Sequence, residues 1–280
     1  IIRRELEDFG REKQLQYGYQ YVVTNNLANL VLYKTSGHYP FYAETMFPPL
    51  KVDEDEYMLK PMNCPHHIQI YADRPRSYRE LPVRLAENGM VYRYEKSGEL
   101  GGLTRVRAIT IDDAHIFCTP EQMEEEINRC LDLANEMYQV LGLTDLTYTL
   151  SLRDPENKKK YVGSDENWEK AEEYLRQALK KRKVEFKEYV GEAAFYGPKI
   201  DVKVRDVLGR EWQLATIPQI DYNMPERFDL SYIDAHGEKK RPVILHRAVY
   251  GSYERFMGLI IEHFAGAFPT WLAPPQVSVL

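Results

Sequence analysis

The segment VYRYEKSGELGGLTRVRAITIDDAHIFC, residues 91–118, carries the clearest structural signal in this chain of 280 residues. Both of its ends are rich in β-branched and aromatic residues, and its middle contains Gly98, Gly101 and Gly102. Two strand-forming runs that are joined by a glycine-containing loop predict a long antiparallel hairpin.

Charged side chains lie at regular intervals in this hairpin. Arg93 and Glu95 are two residues apart and therefore share a face of the first strand, and Arg105 and Arg107 share a face of the second. Arginines on both strands predict a clamp for phosphate or carboxylate, because a guanidinium group pairs bidentately with planar anions. Cross-strand ion pairs on a solvated sheet are the alternative, and the charge pattern leaves both open.

The composition of the whole chain limits the kind of protein. Hydrophobic residues make up 44% and charged residues 29%, which is typical of a globular protein with one large domain. No apolar run approaches the ~20 residues of a membrane span, and we expect no signal peptide. Three widely spaced cysteines favour a reducing, cytoplasmic location over a disulfide framework. The net charge of −6 predicts no general attraction to nucleic acid.

Hydrophobic periodicity predicts both helices and strands, that is, an α+β protein. Residues 2–16 and 120–141 show helical spacing, and Thr119 begins a capping box before the second helix. Residues 200–204 alternate as a strand, which predicts that Asp201 faces solvent.

Several short motifs contain residue types that functional sites use. KTSGH ends in His38, KPMNCPHH contains Cys64 and His67, and AFYGPK contains Tyr196 and Lys199. Taken alone, a single cysteine or histidine is more often a packing residue, and Tyr196 and Lys199 would simply belong to a turn. His67 is either a support for a neighbouring site or a packed side chain.

Together these motifs resemble the class II aminoacyl-tRNA synthetases, in the form of the threonine-specific members. The hairpin, with Arg-x-Glu, its glycine loop, Arg-Val-Arg and Asp-Asp-Ala-His, resembles the second signature motif of that family, and GSYER at 251–255 resembles the third. The resemblance covers almost the whole chain. It implies an α+β fold in which an antiparallel β-sheet is flanked by helices.

The resemblance implies activation of threonine with ATP and transfer of the product to tRNA(Thr). Cations near the phosphates would stabilise the negative charge that develops on the phosphoryl oxygens. The implied catalytic residues are Arg93, Arg255, His38 and Lys199, of which His38 assists proton transfer from the tRNA ribose and Lys199 contacts the adenylate. The residues implied to bind ATP with Mg²⁺ are Arg93, Glu95, Arg105, Gln213, Thr216 and Arg255. Those implied to bind the amino acid are Met62, Asp113, Tyr196 and Gln219.

The family resemblance also implies a zinc ion held by Cys64, His115 and His246. Sulfur and imidazole ligands suit Zn²⁺, and three protein ligands leave a position for the amino and hydroxyl groups of threonine. An apolar pocket would separate threonine from its near-isostere valine by only ~1–3 kcal/mol. Asp113 is implied to accept a hydrogen bond from the hydroxyl group that valine lacks.

Three positions depart from the family pattern. The helix at 2–16 and a predicted strand at 19–24 resemble the first signature motif of the family, and Asn25 stands where a proline usually follows it. Ile109 stands where an aromatic residue often stacks on adenine. The run TIPQ at 216–219 has one residue more than usual, which would turn every later side chain to the other face unless Pro218 lies in a β-bulge. These departures leave open a non-catalytic relative that binds amino acid or nucleotide for regulation. A zinc-stabilised structural module is a third interpretation.

The resemblance also predicts the domain limits and the partners. Residues 1–270 would form the catalytic domain, and residues 271–280 would begin a linker toward an anticodon-binding domain. The expected partners are threonine, ATP, tRNA(Thr) and a second copy of the chain in a homodimer, without a membrane.

Overall fold

The computed structural model of the chain describes residues 1–157, 159–205, 209–274 and 277. The α-helices within these residues are α1 (Ile2–Gln16), α2 (Leu30–Ser36), α3 (His38–Phe41), α4 (Cys64–Ala72), α5 (Met123–Val140), α6 (Asp165–Lys181), α7 (Asn223–Arg227) and α8 (Tyr253–Phe264). The β-strands are β1 (Gln20–Tyr21), β2 (Leu27–Asn29), β3 (Leu50–Val52), β4 (Asp55–Leu59), β5 (Val83–Tyr92), β6 (Ala108–Cys118), β7 (Leu146–Leu152), β8 (Phe186–Val190), β9 (Lys199–Arg205), β10 (Glu211–Asp221), β11 (Tyr232–Ile233), β12 (Lys239–Lys240) and β13 (Val243–Ser252).

One large sheet has the strand order β1-β5-β6-β13-β10-β9-β7-β8. The central strands, β5-β6-β13-β10-β9-β7, each pair antiparallel with their neighbours in this series. The two edge strands β1 and β8 pair parallel with their neighbours, because each pair is joined by a crossover that contains at least one helix. The α+β prediction is confirmed, and the sheet is antiparallel at its centre but mixed at its edges.

The hairpin of β5 and β6 is confirmed, with continuous register from Val83 opposite Phe117 to Tyr92 opposite Ala108. Its loop is longer than the sequence suggested and spans residues 93–107, with short 3₁₀ turns at Ser97–Glu99 and Gly102–Thr104. The argument that placed charged pairs on strand faces is therefore wrong, because those residues lie beyond the paired strand ends.

One face of the large sheet packs on the main hydrophobic core. Ala114 and Ile116 of β6 face this core, which also receives apolar side chains from α1, α5, α6 and α8. The predicted helices at 2–16 and 120–141 are confirmed, and the capping box of Thr119 precedes a 3₁₀ turn that leads into α5.

The second face of the sheet packs under α4 and α7. Phe117 of β6 and Ile244 of β13 point to this side and contact a smaller core with Ile68, Tyr71 and Met224. Because side chains alternate along a strand, His115 and His246 also point to this side. The second face therefore carries the two histidines that are predicted to bind zinc.

Three further observations concern the expectations for the whole chain. Among the described residues, no helix is both long and apolar enough to cross a bilayer. Cys64, Cys118 and Cys130 are buried free thiols. Much of the predicted linker, residues 275, 276 and 278–280, lies outside the described residues.

Candidate active site

The three predicted metal ligands meet at one point on the second face of the sheet. Cys64 begins α4, and His115 of β6 lies directly opposite His246 of β13. One potential ligand atom from each residue lies within 4.8 Å of the others, and all three residues are buried. The structure thus brings together residues that lie up to 182 positions apart in the sequence, from 64 to 246.

The chemistry of this cluster fits a zinc ion. His115 Nε2 is buried and has no hydrogen-bond partner within the described structure. Burial lowers the pKa of His115 well below its usual range, and neighbouring imidazoles lower it further, so the ring is neutral as a ligand must be. Burial raises the pKa of the Cys64 thiol, and Asp113 and Asp221 add to this effect. A cation at this point would offset the cost of forming the thiolate there.

Other predicted residues surround the ligand cluster. The Tyr196 ring lies 5.0 Å from the His246 ring, and the His38 Nε2 atom lies 4.0 Å from the Cys64 sulfur. Asp113 lies two residues before His115 on the same face of β6 and accepts a hydrogen bond from Asn63 at 3.0 Å.

His38 is enclosed rather than open to solvent. Its side chain has no exposed surface, and its Nδ1 atom lies 2.8 Å from the Ser36 hydroxyl. Burial lowers the pKa of His38 to about 3, with smaller contributions from His246 and Arg227, so the imidazole is neutral near pH 7. It lies beside the ligand cluster.

The extra residue near Pro218 is accommodated by a β-bulge, as predicted. The pairing of β10 with both β13 and β9 shifts register between Thr216 and Gln219. After this shift Gln219 lies opposite His246 and shares its face of the sheet. The Gln219 amide donates to the Gly197 carbonyl at 2.9 Å. The bulge therefore keeps Gln219 beside the ligand cluster.

A cavity of about 340 Å³ lies farther along the same face of the sheet, toward the hairpin loop. This size falls within the range of roughly 300–1,000 Å³ that small-molecule sites occupy. All six residues predicted to bind ATP line this cavity, and so do Ile109 and Ile111; the six are Arg93, Glu95, Arg105, Gln213, Thr216 and Arg255.

The electrostatics of the cavity favour an anion. Burial lowers the pKa of Arg255, and the nearby positive charges of Arg93 and Arg105 lower it further against the opposing effect of Glu95. Three guanidinium groups that repel one another around a cavity create a region of high positive potential. Arg105 also pairs with Glu95 at 3.0 Å, within the hairpin loop rather than across paired strands.

Met62 lies between the ligand cluster and the arginines. It lines a second cavity of about 520 Å³, which shares Arg93, Glu95 and Arg105 with the first. The Arg93 guanidinium lies 3.9 Å from the Met62 sulfur. Met62 is two residues before Cys64, so the start of α4 connects the two parts of the site.

Lys199 does not line the cavity itself, and its side chain points toward Asp201. Its ammonium group lies 2.6 Å and 2.8 Å from the two carboxylate oxygens of Asp201. The same carboxylate accepts hydrogen bonds from Gln213 at 2.7 Å, Thr216 at 2.9 Å and Ser151 at 2.8 Å.

Asp201 is the functional candidate that sequence reasoning missed. The alternation of β9 predicted a solvated side chain, but Asp201 is only 3% exposed because side chains from three neighbouring positions cover it. A single buried carboxylate thus holds Lys199, Gln213 and Thr216 in one group. The signal for a buried carboxylate would have been a charged residue in an interior strand, with polar residues on the adjacent strand.

Comparisons with known proteins agree with this geometry. The model of the tRNA synthetase class II core domain (G, H, P, S and T) matches residues 46–264. A threonine–tRNA ligase from Deinococcus radiodurans is 58% identical over 280 residues, covering 100% of this chain and 43% of that protein. A threonine–tRNA ligase from Thermus thermophilus is 57% identical over 284 residues with the same coverage.

A solved structure resembles the chain equally clearly. The RNA binding domain of threonyl-tRNA synthetase from Cryptosporidium parvum superposes with a TM-score of 0.92 and 44% identity, covering 98% of this chain and 67% of that chain. The chain spans 43% of the length of the two bacterial ligases. The chain therefore belongs to the class II aminoacyl-tRNA synthetase family, and it corresponds to the core domain in the form found in threonyl-tRNA synthetases.

Proposed function

We propose that this chain is the catalytic core of a threonine–tRNA ligase. In the first step the carboxylate of threonine attacks the α-phosphorus of ATP, a new carbon–oxygen–phosphorus link forms, and pyrophosphate leaves. In the second step a ribose hydroxyl of tRNA(Thr) attacks the carbonyl carbon and releases AMP. One observation carries the proposal: the Cys64, His115 and His246 cluster lies on the same sheet face as the arginine-lined cavity.

The spacing along the sheet supports adjacent substrates. Ala248 lines the cavity, and His246 lies two residues away on the same face of β13, which is roughly 7 Å along the strand. On β6, Ile111 lines the cavity and His115 lies four residues farther along the same face. A threonine at the cluster would thus place its carboxylate toward a nucleotide in the cavity.

The arginines would act on the triphosphate. We assign Arg93 to the α-phosphate and the substrate carboxylate, Arg255 to the γ-phosphate and Arg105 to the phosphate tail. Guanidinium groups that are already in place stabilise the charge of the transition state without reorganising during the reaction. Glu95 would accept from the adenine amino group, which requires part of its pairing with Arg105 to be exchanged.

Cys64, His115 and His246 would hold the zinc ion, and the bound ion would supply an open coordination position for the amino and hydroxyl groups of threonine. Asp113 would accept a hydrogen bond from the threonine hydroxyl. A site that is built to bond a hydroxyl group leaves a buried polar group unpaired when valine binds instead. Tyr196, Met62 and Gln219 would complete the amino-acid pocket.

The assignments of His38 and Lys199 are further parts of the proposal. The neutral imidazole of His38 has a free electron pair for the proton of a ribose hydroxyl, which is the state that a general base needs. Lys199 would contact the adenylate from its position on Asp201.

We also propose a homodimer and a wider protein around this core, with residues 1–270 as the catalytic domain. Leu27, Leu50 and Val52 share one face of the small sheet formed by β2, β4 and β3. All three side chains are exposed, as is the nearby Val23. Such an apolar surface next to the first motif suits a second copy of the chain, and sedimentation equilibrium would distinguish a dimer from a monomer.

Threonine-dependent exchange of pyrophosphate into ATP tests the proposed activity. We expect exchange with threonine and Mg²⁺, and a rate with valine lower by a factor on the order of 10⁴, because valine leaves the hydroxyl-binding groups unpaired. Binding of ATP and threonine without any exchange would instead identify a regulatory relative. Unfolding of the protein by a chelator would favour a structural zinc module.

A further inference from the structure

Two adjacent histidines of α4 have different surroundings. His66 Nε2 lies 2.9 Å from the Tyr33 hydroxyl, away from the ligand cluster. His67 has no exposed surface, and its Nδ1 atom lies 2.8 Å from Nδ1 of His115. The rings of His67 and His115 stand at 90° with their centroids 4.8 Å apart. Of these two histidines, His67 is therefore the one that touches a proposed metal ligand.

The other nitrogen of His67 contacts a carboxylate. His67 Nε2 lies 3.2 Å from Oε2 of Glu87, a β5 residue that is only 4% exposed. Glu87 also accepts hydrogen bonds from the Thr24 amide and hydroxyl, both at 2.8 Å, and its Oε1 atom lies 3.5 Å from the Lys60 ammonium group. The carboxylate is thus fixed in position by several partners, of which His67 and Lys60 are buried.

These contacts determine which nitrogen of each ring carries a proton. An ionised carboxylate only accepts hydrogen bonds, so His67 Nε2 must donate to Glu87. In a neutral ring the remaining nitrogen, Nδ1, is then an acceptor, and His115 Nδ1 must donate to it. His115 Nε2 is consequently left with a free electron pair, and it is one of the buried side-chain atoms that lack a hydrogen-bond partner within the described residues.

The second imidazole of the cluster is oriented in a simpler way. His246 Nε2 lies 3.0 Å from Oδ2 of Asp221, which leaves Nδ1 for the cluster. Asp221 is itself fixed by the backbone amides of Asn223 and Met224 at 2.7 Å and 3.0 Å. One ligand is therefore set by a direct carboxylate and the other by a carboxylate acting through a second imidazole.

We propose that His67 is a positioning residue that fixes the tautomer and ring orientation of His115 for metal binding. This inference rests on the zinc site of the proposed function. Hydrogen-bonded partners of metal-ligating histidines raise ligand basicity, and their loss typically lowers metal affinity by about 10–100-fold. The paired charges of Glu87 and Lys60 balance each other, so the contribution of His67 is orientation rather than net charge.

Zinc affinity, measured by competition with a chelator at constant pH, tests the proposal. We expect His67→Phe, which keeps a ring of similar shape but has no nitrogen, to bind zinc about 10–100-fold more weakly than the unaltered protein. His67→Asn should recover part of the loss, because its amide oxygen accepts from His115 Nδ1. Circular dichroism in the chelator verifies that the variants fold, and His67→Leu replaces His67→Phe if the latter does not.

The neighbouring position offers a matched control. His66→Asn alters another buried histidine of the same helix turn that contacts Tyr33 instead of a ligand, and its zinc affinity should equal that of the unaltered protein. Substitution of Co²⁺ gives an independent measurement, since the visible absorption of bound cobalt reports ligand geometry. The cobalt spectrum should change in His67→Phe and not in His66→Asn.

The possible outcomes separate the two claims. Unchanged zinc affinity in a folded His67→Phe would overturn the role of His67 while leaving the metal site intact. A loss of affinity that His67→Asn does not recover would also overturn it, since packing alone would then explain the effect. If the unaltered protein binds no zinc, the proposed metal site fails, and this inference fails with it.

Discussion

The ligand cluster and the arginine cavity lie on the same sheet face but are constructed differently. The cluster is buried, and each of its imidazoles has a partner that is itself fixed by further hydrogen bonds. The cavity is lined by Arg93 and Arg105 of the hairpin loop, by Arg255 of α8 and by residues of β6, β10 and β13, and its arginines repel one another around an open volume of about 340 Å³.

This difference follows from what each part would have to recognise. A threonine side chain differs from valine by one hydroxyl group, so its recognition requires donors and acceptors in fixed positions. A triphosphate carries several charges, so positive potential supplies much of its binding, and arginines around an open cavity are sufficient. Substitutions in the two regions should therefore change different measured quantities.

The largest expected effect belongs to the cavity. Arg93→Ala should slow threonine-dependent pyrophosphate exchange by about 10²–10³-fold, because one group that stabilises transition-state charge is lost. Zinc content should not change. Arg107→Ala is the matched control, since Arg107 lies in the same loop but contacts the Glu95 backbone and the Tyr94 ring. Equal effects of the two substitutions would contradict the assignment of Arg93.

The next largest effect is expected at Glu87, which supports the ligand cluster through His67, and this effect depends on pH. Burial raises the pKa of Glu87, but hydrogen bonds from His67 and Thr24 and the charge of Lys60 outweigh it and lower the pKa from 4.5 to about 2. A carboxylate with a lowered pKa stabilises the folded state above its unfolded pKa, and this stabilisation is lost as the pH falls toward 2. The shift corresponds to about 3 kcal/mol at pH 7.

Urea denaturation of Glu87→Gln at several pH values measures this contribution. The free energy of unfolding at pH 7 should be lower in the variant by about 3 kcal/mol or more, because Lys60 also loses its charged partner. The difference should shrink between pH 5 and pH 2. A difference that stays constant over this range would show that the charge of Glu87 does not stabilise the fold.

The smallest expected effect lies beside the cavity, at Asp201. Asp201→Asn keeps the shape of the side chain but removes the charge that holds Lys199, and we expect kcat/KM for ATP to fall by about 10-fold. The KM for threonine and the zinc content should change little. Ser151→Ala, which removes one neutral donor to the same carboxylate, should lower kcat/KM by at most about 3-fold. An equal rise of both KM values would contradict a role on the nucleotide side.

Local patterns predicted much of the fold. The helical spacing at 2–16 and 120–141, the capping box at Thr119 and the hairpin all appear in the structure. These features depend on neighbouring residues, and local propensity is therefore informative. The hairpin limits were wrong because glycine-containing turns end the pairing at Tyr92 and resume it at Ala108, and residue alternation does not reveal such a change.

The site was less accessible to sequence reasoning. Cys64, His115 and His246 have no common spacing, and only the family resemblance linked them before the sheet register placed the two histidines opposite each other. Asp201 was misjudged because alternation distinguishes the two faces of a strand but does not show which face is covered. The contact between His67 and His115 joins α4 to β6, and a distance of 48 residues leaves no local signal.

The central claim is that one sulfur and two imidazole nitrogens hold a zinc ion at the cluster. X-ray absorption spectroscopy at the zinc edge of the purified protein tests it most directly, with Cys64→Ser as the comparison. We predict one sulfur at about 2.3 Å and nitrogen ligands at about 2.0 Å, with the sulfur contribution and most of the bound zinc lost in the variant. A bound zinc ion without a sulfur ligand, or an unchanged spectrum in Cys64→Ser, would contradict the account.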